Sequence, residues 1–321
     1  MYTIELEKVR KSYGTFVAVD DLSFKIEKGS VFGLLGPNGA GKTSTIRMMI
    51  GITAPDSGTI GMFGKAFERK SLNRVGYLPE ERGLYRKMKV LDQLILMAEL
   101  HGMSAADAKQ KAIEWCQRLD ISFKLNSKVE ELSKGLQQKI QFIAALLHDP
   151  DFIIMDEPFF GLDPVNATML KNVLLDLKKE GRTILFSTHR MDQVEKLCDS
   201  LCLINHGRPV LHGTLKDVKA GYGKRNVQID YAGDISFLER SPLISKFNNY
   251  GNYVEVQLAP GADSQELLRV AAAHSRINRF ELMEPSLEEI FIDVVGEHKV
   301  DSEEKLQAEK NNLQVAGGRN A

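Results

Sequence analysis

One short stretch, Gly-Pro-Asn-Gly-Ala-Gly-Lys-Thr at residues 36–43, constrains the fold of this chain more than any other. It fits the pattern G-x-x-x-x-G-K-[ST], in which glycines let main-chain N–H groups turn inward around phosphates. The apolar run 31–35 before it predicts a buried strand, and residues 45–50 after it predict the start of a helix. Phosphates would then lie at a helix N-terminus, where unpaired N–H groups and the positive end of the dipole favour anions. The stretch therefore predicts an α/β domain that binds a nucleotide.

The residues of this phosphate loop have separate expected roles. Lys42 is expected to reach the β- and γ-phosphates, and the hydroxyl of Thr43 is expected to bind Mg²⁺. The candidate nucleotide-binding residues of the loop are Gly36, Pro37, Asn38, Gly39, Ala40, Gly41, Lys42, Thr43 and Ser44.

The composition argues against several other classes of protein. A length of 321 residues suggests about two domains, and 43% hydrophobic residues can form a sizeable core. The 42 basic and 43 acidic residues nearly balance, so we expect no nucleic-acid partner. No apolar run approaches the roughly 18 residues that cross a bilayer, and the first residues lack the features of a signal peptide. Three cysteines cannot all pair, which is typical of a reducing cytoplasm.

Strands and helices alternate through the first two thirds of the chain. Residues 3–9 and 17–26 alternate apolar and polar side chains and predict antiparallel strands before the phosphate loop. Helical patterns between residues 90 and 147 predict a helical insertion, and the apolar run 152–155 is typical of a central parallel strand. The alternation predicts an α/β fold, namely a P-loop NTPase core with an N-terminal antiparallel β subdomain.

The composition changes near residue 219, and the remaining sequence predicts a small α+β domain without a catalytic constellation. Strands are expected at 226–231 and 253–258, helices at 264–274 and 286–295, and extended chain at 278–283. The expected domains are a nucleotide-binding domain at 1–218, a linker at 219–225, an accessory domain at 226–298 and a disordered tail at 299–321.

An acidic pair follows the apolar run 152–155 and provides the second signal for nucleotide chemistry. Asp156 ends a strand that we expect to neighbour the phosphate loop, where it is placed to hold Mg²⁺ beside Thr43. Glu157 comes one residue later and can reach past the γ-phosphate to position or deprotonate a water. The alternative is that two acids merely cap a strand, but the phosphate loop upstream favours hydrolysis.

In this order the motifs resemble those of the ATP-binding subunit of an ATP-binding-cassette (ABC) transporter, over residues 1 to about 218. Residues 36–43 match the phosphate loop, and 152–157 match the Mg²⁺-binding strand with its catalytic glutamate. Leu-Ser-Lys-Gly-Leu at 132–136 resembles the signature motif, and 187–189 match the switch histidine. Tyr13 matches the aromatic residue that stacks on adenine, although its spacing alone is equally compatible with an ordinary strand-end tyrosine.

The resemblance implies a hydrolytic site shared between two copies of the chain. Ser133 and Gly135, before the helix at 136–147, would meet the γ-phosphate of ATP bound to the other copy. Asp163 lies in the loop that crosses the interface, and His189, an uncharged donor, would contact the γ-phosphate and orient the water held by Glu157. ATP would close a head-to-tail dimer and hydrolysis would reopen it, with ATP and Mg²⁺ as the implied cofactors.

Two sites depart from the family pattern. The loop after residues 77–79 usually carries glutamine, whereas here it carries Glu80, which we expect to bind Mg²⁺ and to take part in catalysis with an altered metal preference. Lys134 and Leu136 replace a glycine and a glutamine of the signature. Because Ser133 and Gly135 are kept, we expect an active ATPase.

Residues 80–85 and the C-terminal part resemble a subgroup that serves bacterial exporters of sodium, drugs or other small molecules. This implies a peripheral subunit on the cytoplasmic face of the cell membrane, partnered by separately encoded permease subunits. The alternative is a soluble ABC-type ATPase acting on ribosomes or DNA repair complexes. Relatives of those kinds generally carry two cassettes or a long coiled-coil insertion, neither of which this sequence shows. A regulatory module without hydrolysis would lack Glu157 or His189, which are both present.

Overall fold

The computed structural model of this chain describes residues 1–81, 83–222 and 226–294. Its strands are β1 (Tyr2–Tyr13), β2 (Phe16–Glu27), β3 (Val31–Leu35), β4 (Ser57–Met62), β5 (Lys65–Ala66), β6 (Val75–Leu78), β7 (Phe152–Asp156), β8 (Thr183–Thr188), β9 (Ser200–Asn205), β10 (Arg208–Thr214), β11 (Asn226–Ala232), β12 (Ile244–Asn249), β13 (Tyr253–Leu258) and β14 (Arg276–Met283). Its helices are α1 (Lys42–Met49), α2 (Val90–Leu100), α3 (Ala105–Arg118), α4 (Lys134–Leu146), α5 (Pro164–Lys179), α6 (Met191–Leu197), α7 (Leu215–Tyr222), α8 (Ser264–His274) and α9 (287–294).

An antiparallel sheet precedes the phosphate loop, as the alternating residues of β1 and β2 predicted. Its strand order is β2-β1-β4-β5. Ile4 and Leu6 of β1 are buried because alternate side chains point to the same face of a strand, and Val9 is buried after a shift in the pairing register between Leu6 and Val9. Together with apolar side chains of β2 and α1 they form one hydrophobic core.

A second sheet carries the phosphate loop and has the strand order β10-β9-β3-β8-β7-β6. Strands β6, β7, β8, β3 and β9 pair in parallel, and β10 pairs antiparallel with β9. Every residue of β3, β7 and β8 is buried, as expected for parallel strands covered on both faces. Strand β8 lies between β3 and β7, so the strand that ends in Asp156 does not pair with the strand before the phosphate loop.

Three helices, α2, α3 and α4, form the insertion expected at residues 90–147. Helix α3 is capped by Ser104, whose hydroxyl accepts a hydrogen bond from the main-chain N–H of Asp107. Helix α4 begins at Lys134, two residues earlier than predicted, because Ser133 caps it in the same way by accepting from Leu136 N–H.

The chain divides after Thr214 into two compact units, and the second contains its own four-stranded sheet of order β12-β13-β11-β14. Strand β12 was not predicted, because its Lys and Asn residues weaken the apolar alternation. The linker expected at 219–225 is helical up to Tyr222, and residues 223–225 lie outside the described residues. The tail predicted at 299–321 and the end of the predicted accessory domain also lie outside them, so the expected domain bounds stay predictions.

Candidate active site

The phosphate loop is shaped by glycines that no other residue could replace without a clash. Gly41 has a φ of +107°, and a Cβ atom there would lie 2.3 Å from the carbonyl oxygen of Ala18. A Cβ atom at Gly36 would lie 2.2 Å from the carbonyl oxygen of Ile204. The loop is therefore held tightly between β2 and β9, and its conformation depends on these two glycines.

The start of α1 is built to hold an anion. Its capping residue Gly41 has no side chain that could accept hydrogen bonds from the first turn, so the main-chain N–H groups there remain available to phosphate. Lys42 is only 7% exposed, and its Nζ donates to the carbonyl oxygens of Gly36 at 2.7 Å and Pro37 at 3.1 Å. Burial lowers the pKa of Lys42, while the nearby carboxylates of Glu157, Asp156 and Glu80 oppose that shift.

Asp156 ties α1 to the ends of two central strands. Its carboxylate is 1% exposed and accepts a hydrogen bond from the hydroxyl of Thr43 at 2.9 Å. The hydroxyl of Ser187, at the end of β8, donates to the other carboxylate oxygen. Although β8 separates β7 from β3, the carboxyl ends of all three parallel strands meet at one edge of the sheet, which brings Asp156 to the phosphate loop.

Glu157 leaves the sheet through a left-handed backbone conformation, with a φ of +49°. Its N–H still donates to the carbonyl oxygen of Ser187 at 3.0 Å, so the turn is tied to β8. Its carboxylate accepts from the hydroxyl of Thr188 and from the main-chain N–H of His189, each at 3.0 Å. A non-glycine residue in this conformation costs about 1–2 kcal/mol, which the three hydrogen bonds offset.

His189 contacts the carboxylate of Glu157 directly. Its Nδ1 lies 2.7 Å from Oε1 of Glu157, so against a carboxylate Nδ1 carries the proton and donates. A neutral imidazole then has an Nε2 that can only accept. In this arrangement His189 orients Glu157, and donation to a phosphate from Nε2 requires the ring to be charged or to turn away.

A cavity of about 420 Å³ brings most of the predicted residues together. Glu80 lines it beside Asp156 and Glu157, although Glu80 is far from both in sequence. The lining also includes Phe16, which sequence reasoning missed, and does not include Tyr13. Phe16 pairs with Tyr13 across the β1–β2 hairpin. The aromatic residue that lines the cavity therefore lies directly opposite the aromatic residue that was predicted. The complete lining is Phe16, Ala18, Asn38, Gly39, Ala40, Gly41, Lys42, Thr43, Ser44, Glu80, Asp156 and Glu157.

Comparison with known proteins identifies the family. Residues 19–160 match the ABC transporter family, and residues 213–295 match the C-terminal domain of DrrA1-3-like ATP-binding proteins. The chain is 46% identical over 293 residues to an uncharacterized ABC transporter ATP-binding protein of Bacillus subtilis, covering 91% of this chain and 98% of that protein. This chain belongs to the ABC transporter ATP-binding proteins.

Two further comparisons agree with this assignment. The chain is 42% identical over 213 residues to the Nod factor export ATP-binding protein I of Paraburkholderia xenovorans, covering 65% of this chain and 70% of that protein. A solved ATP-binding subunit of an ABC transporter superposes with a TM-score of 0.64 at 31% identity, covering 69% of this chain and 93% of the other. The expected fold is therefore confirmed, and as an ABC ATP-binding protein the chain is an ATPase coupled to transport.

Two residues that the resemblance assigns to the signature motif lie apart from the phosphate-loop cavity of the same chain. Ser133 and Gly135 stand at the exposed start of α4, and among the described residues neither lines the cavity. Asp163 caps α5 by accepting from the N–H groups of Val165 and Asn166, each at 3.0 Å, and these bonds help to lower its pKa. Asp163 also does not line the cavity within the described part of the chain.

The residues beside the phosphate loop fit the Mg²⁺ ion implied by the family. The Thr43 hydroxyl lies against Asp156, and the Glu80 carboxylate lines the same cavity, so oxygen ligands are available from three elements. Mg²⁺ is usually held by one or two carboxylates together with substrate phosphates, which matches this set of donors.

Proposed function

We propose that this chain is the ATP-hydrolysing subunit of a membrane exporter, and that two copies close head to tail around two ATP molecules. One observation carries the proposal. The hydrolytic residues Asp156 and Glu157 line the phosphate-loop cavity, whereas the anion-binding start of α4 at Ser133 and Gly135 faces elsewhere on the same copy. A second copy would bring its α4 to the open side of the cavity and complete the site.

Within one copy, the proposed roles follow from the contacts. The loop N–H groups and Lys42 would hold the β- and γ-phosphates, and Thr43, Asp156 and Glu80 would hold Mg²⁺. When bound, Mg²⁺ would neutralise negative charge on the phosphates. Glu157, oriented by His189, would position or deprotonate the attacking water. The remaining loop residues would surround the phosphates, and Phe16 with Tyr13 would stack on the base.

Between two copies, ATP would act as a shared ligand. The Ser133 hydroxyl, the first N–H groups of α4 and the positive end of its dipole would meet the γ-phosphate held by the other copy. Asp163, at the start of α5, would lie in the loop that crosses the interface. Since ADP lacks the γ-phosphate, hydrolysis would remove this contact and reopen the dimer.

We infer from the relatives that the direction of transport is export. The Paraburkholderia protein is described as a Nod factor export protein, and the C-terminal match is to DrrA1-3-like ATP-binding proteins. Among the described residues, none of the helices has the length and apolar character needed to cross a membrane. We therefore infer a peripheral subunit on the cytoplasmic face of the cell membrane, bound to separately encoded permease subunits.

The shared site is tested by Glu157→Gln. The side chain keeps its size but loses its ability to take a proton, so ATP turnover should fall by about 10²–10⁴-fold. ATP binding should persist, and gel filtration in ATP should show a dimer, while the control Glu99→Gln on the exposed face of α2 should behave as the parent protein. A variant that binds ATP yet stays monomeric at all protein concentrations would refute the two-copy site.

The membrane partner is tested by cross-linking from the loop before α2. This loop exposes Tyr85 beside Arg86 and Lys87, a basic and aromatic surface suited to a protein partner. A photo-cross-linker placed at Arg86 or Lys87 in cells should capture an integral membrane protein, whereas one at the exposed Lys70 should not. Recovery of ribosomal or DNA repair proteins instead would support a soluble ABC-type ATPase.

A further inference from the structure

The second unit contains a cavity that shares no lining residue with the phosphate-loop cavity. Its volume is about 410 Å³, compared with about 420 Å³ for the phosphate-loop cavity of the first unit. Every residue that lines it lies between Asn226 and Asp293, within the second unit. Cavities of this size commonly hold small organic ligands, and the proposed ATPase reaction makes no use of this one.

Part of the cavity wall is a polar face of the sheet β12-β13-β11-β14. Side chains alternate between the two faces of a strand, so Val254 of β13 lies in the core of the unit while Glu255 and Gln257 lie on the opposite face. Their cross-strand neighbours, Asn248 and Asn226, are also polar. These four residues line the cavity and offer it carboxylate and amide oxygens as hydrogen-bond acceptors.

Helix α9 provides another part of the wall and is anchored by apolar side chains. Leu287 and Ile290 of this helix are buried. Ile292 is 60% exposed and lines the cavity together with Met283, which is 37% exposed. The cavity therefore has an apolar surface beside its polar groups, as sites for small organic molecules usually do.

The lining is strongly acidic, although the chain as a whole is nearly neutral. The chain has 42 basic and 43 acidic residues, so this local excess of carboxylates does not follow from composition. Glu289 and Asp293 are four residues apart on α9, a spacing at which like charges destabilise a helix, so a cation bound beside them would stabilise it. Five carboxylates and one ammonium group line the cavity, from Glu255, Glu284, Glu288, Glu289, Asp293 and Lys246.

The carboxylates of α9 differ in what already holds them. Oε1 of Glu289 accepts from Nδ2 of Asn226 at 2.8 Å, and Oε2 accepts from the main-chain N–H of Ser286 at 2.8 Å. The carboxylates of Glu288 and Asp293 have no partner among the described residues. Glu288 and Asp293 can therefore accept hydrogen bonds from a cationic ligand without giving up an existing one.

The spacing of the carboxylates favours an extended organic cation over a metal ion. Within the part of the chain that the structure describes, no group of three or more histidine, cysteine, aspartate or glutamate side chains could hold a metal. The negative charges are instead spread along the cavity wall, which suits a ligand whose positive charges are also spread. Protonated amines separated by methylene groups have this distribution, and the methylene groups match the apolar surface of Met283 and Ile292.

We propose that this cavity binds an aliphatic polyamine, that is, a chain of methylene groups carrying two or more protonated amines. The amines donate to the carboxylates of Glu255, Glu288 and Asp293. The methylene segments between them pack on Met283 and Ile292. The proposal does not rest on the two-copy ATP site, because the two cavities share no residue.

Calorimetric titration of the full chain with spermidine tests the proposal. The titration is done without nucleotide, because the amines would also bind the phosphates of ATP, and at about 0.15 M salt, which screens diffuse attraction between exposed charges. We expect saturable binding of one spermidine per chain. Propylamine, with a single amine, should bind at least about tenfold more weakly, and an equal concentration of Mg²⁺ should not displace spermidine.

Charge-neutralising variants locate the binding site. Glu288→Gln and Asp293→Asn should each lower the affinity for spermidine about two- to fivefold, and together about tenfold. Glu239→Gln is the matched control, because this exposed glutamate belongs to the second unit and does not line the cavity. Its affinity for spermidine should equal that of the parent protein.

A second pair of variants tests occupation of the cavity rather than its charge alone. Ile292→Lys places an amine on a methylene stem at the cavity wall, so it should compete with spermidine and lower the affinity at least about tenfold. Ala272→Lys adds the same charge on the exposed surface of α8, outside the cavity, and should change the affinity by less than about twofold. The substituted residues are all exposed, and thermal unfolding checks that each variant is folded.

Three outcomes would overturn the inference. The first is the absence of saturable spermidine binding at about 0.15 M salt. The second is an equal loss of affinity in Glu239→Gln and Glu288→Gln, which would mean diffuse attraction. The third is a loss in Glu80→Gln with none in Glu288→Gln, which would place the amine in the phosphate-loop cavity. If Ile292→Lys does not fold, the comparison of Glu288→Gln with Glu239→Gln decides.

Discussion

Asp156 and Glu157 are adjacent in sequence and yet occupy different environments. The Asp156 carboxylate is buried, with its two oxygens fixed by the hydroxyls of Thr43 and Ser187. The positive φ of Glu157 turns the next carboxylate out of the sheet and toward His189. One backbone turn thus separates a group suited to hold a metal from a group suited to act on water.

At the same scale, the cavity predicts which aromatic residue binds the base. Phe16 lines the cavity and is largely exposed, so Phe16→Ala should weaken ATP binding about tenfold through lost stacking. Tyr13→Ala should weaken it less, about threefold or under. Titration with a fluorescent ATP analogue measures both, and Phe123→Ala on the helical insertion serves as an exposed-phenylalanine control. A larger loss of ATP affinity in Tyr13→Ala than in Phe16→Ala would show that Tyr13, and not Phe16, stacks on the base.

At the scale of elements, a histidine pair links the ends of α2 and α4 to β6. The rings of His101 and His148 stack with centroids 3.7 Å apart, and Nε2 of His148 lies 3.1 Å from the carbonyl oxygen of Val75. Burial, with further contributions from His101 and Lys111, lowers the pKa of His148 to about 4, while the hydrogen bond to Val75 and the carboxylate of Asp149 oppose that shift. The insertion is therefore packed around a neutral histidine.

This pair predicts a loss of stability in mild acid. An unfolded histidine has a pKa near 6.5, so the unfolded chain gains a proton there while His148 in the folded chain stays neutral until about pH 4. Stability should be complete above about pH 6.5 and fall by about 2 kcal/mol by pH 5. Urea unfolding at pH 7.5 and 5.0 measures the loss, which should shrink in His148→Gln and persist in His212→Gln. An unchanged loss in His148→Gln would exclude this residue as its source.

At the scale of the molecule, each unit has its own core. The core that includes Ile4 and Ile154 is built entirely from the first unit, whereas Val227, Val256 and Leu267 belong to a core of the second. Because each of these cores among the described residues lies within one unit, its hydrophobic contribution to folding does not require the other unit.

A chain ending after Tyr222 should therefore fold and bind nucleotide. The phosphate loop, Asp156, Glu157 and His189 all lie in the first unit, so the Kd for ATP should stay within about threefold of the full chain. An unfolding curve of the shortened chain should show a single cooperative transition, and nucleotide titration measures its Kd for ATP. If the shortened chain is insoluble or lacks a cooperative transition, the first unit depends on the second for its stability.

Much of the fold and of the candidate site could be predicted because its signals are local. The phosphate loop needs glycines at particular backbone conformations, a serine cap begins α4, and the apolar run of β7 is long enough to be a buried strand. These properties depend on a few consecutive residues, so the amino-acid sequence alone determined the phosphate loop, most of the strands and helices, and the residue types of the candidate site.

The tertiary structure alone decided which of these residues meet. The hydrogen bond between Thr43 and Asp156 joins residues 113 positions apart, and the bond between Gln141 and Glu81 joins residues 60 positions apart. The order β3-β8-β7, the place of Phe16 in the cavity and the contact of His189 with Glu157 likewise arise from packing between distant segments. No local pattern encodes such partners, because they depend on the burial of whole strands and helices against one another.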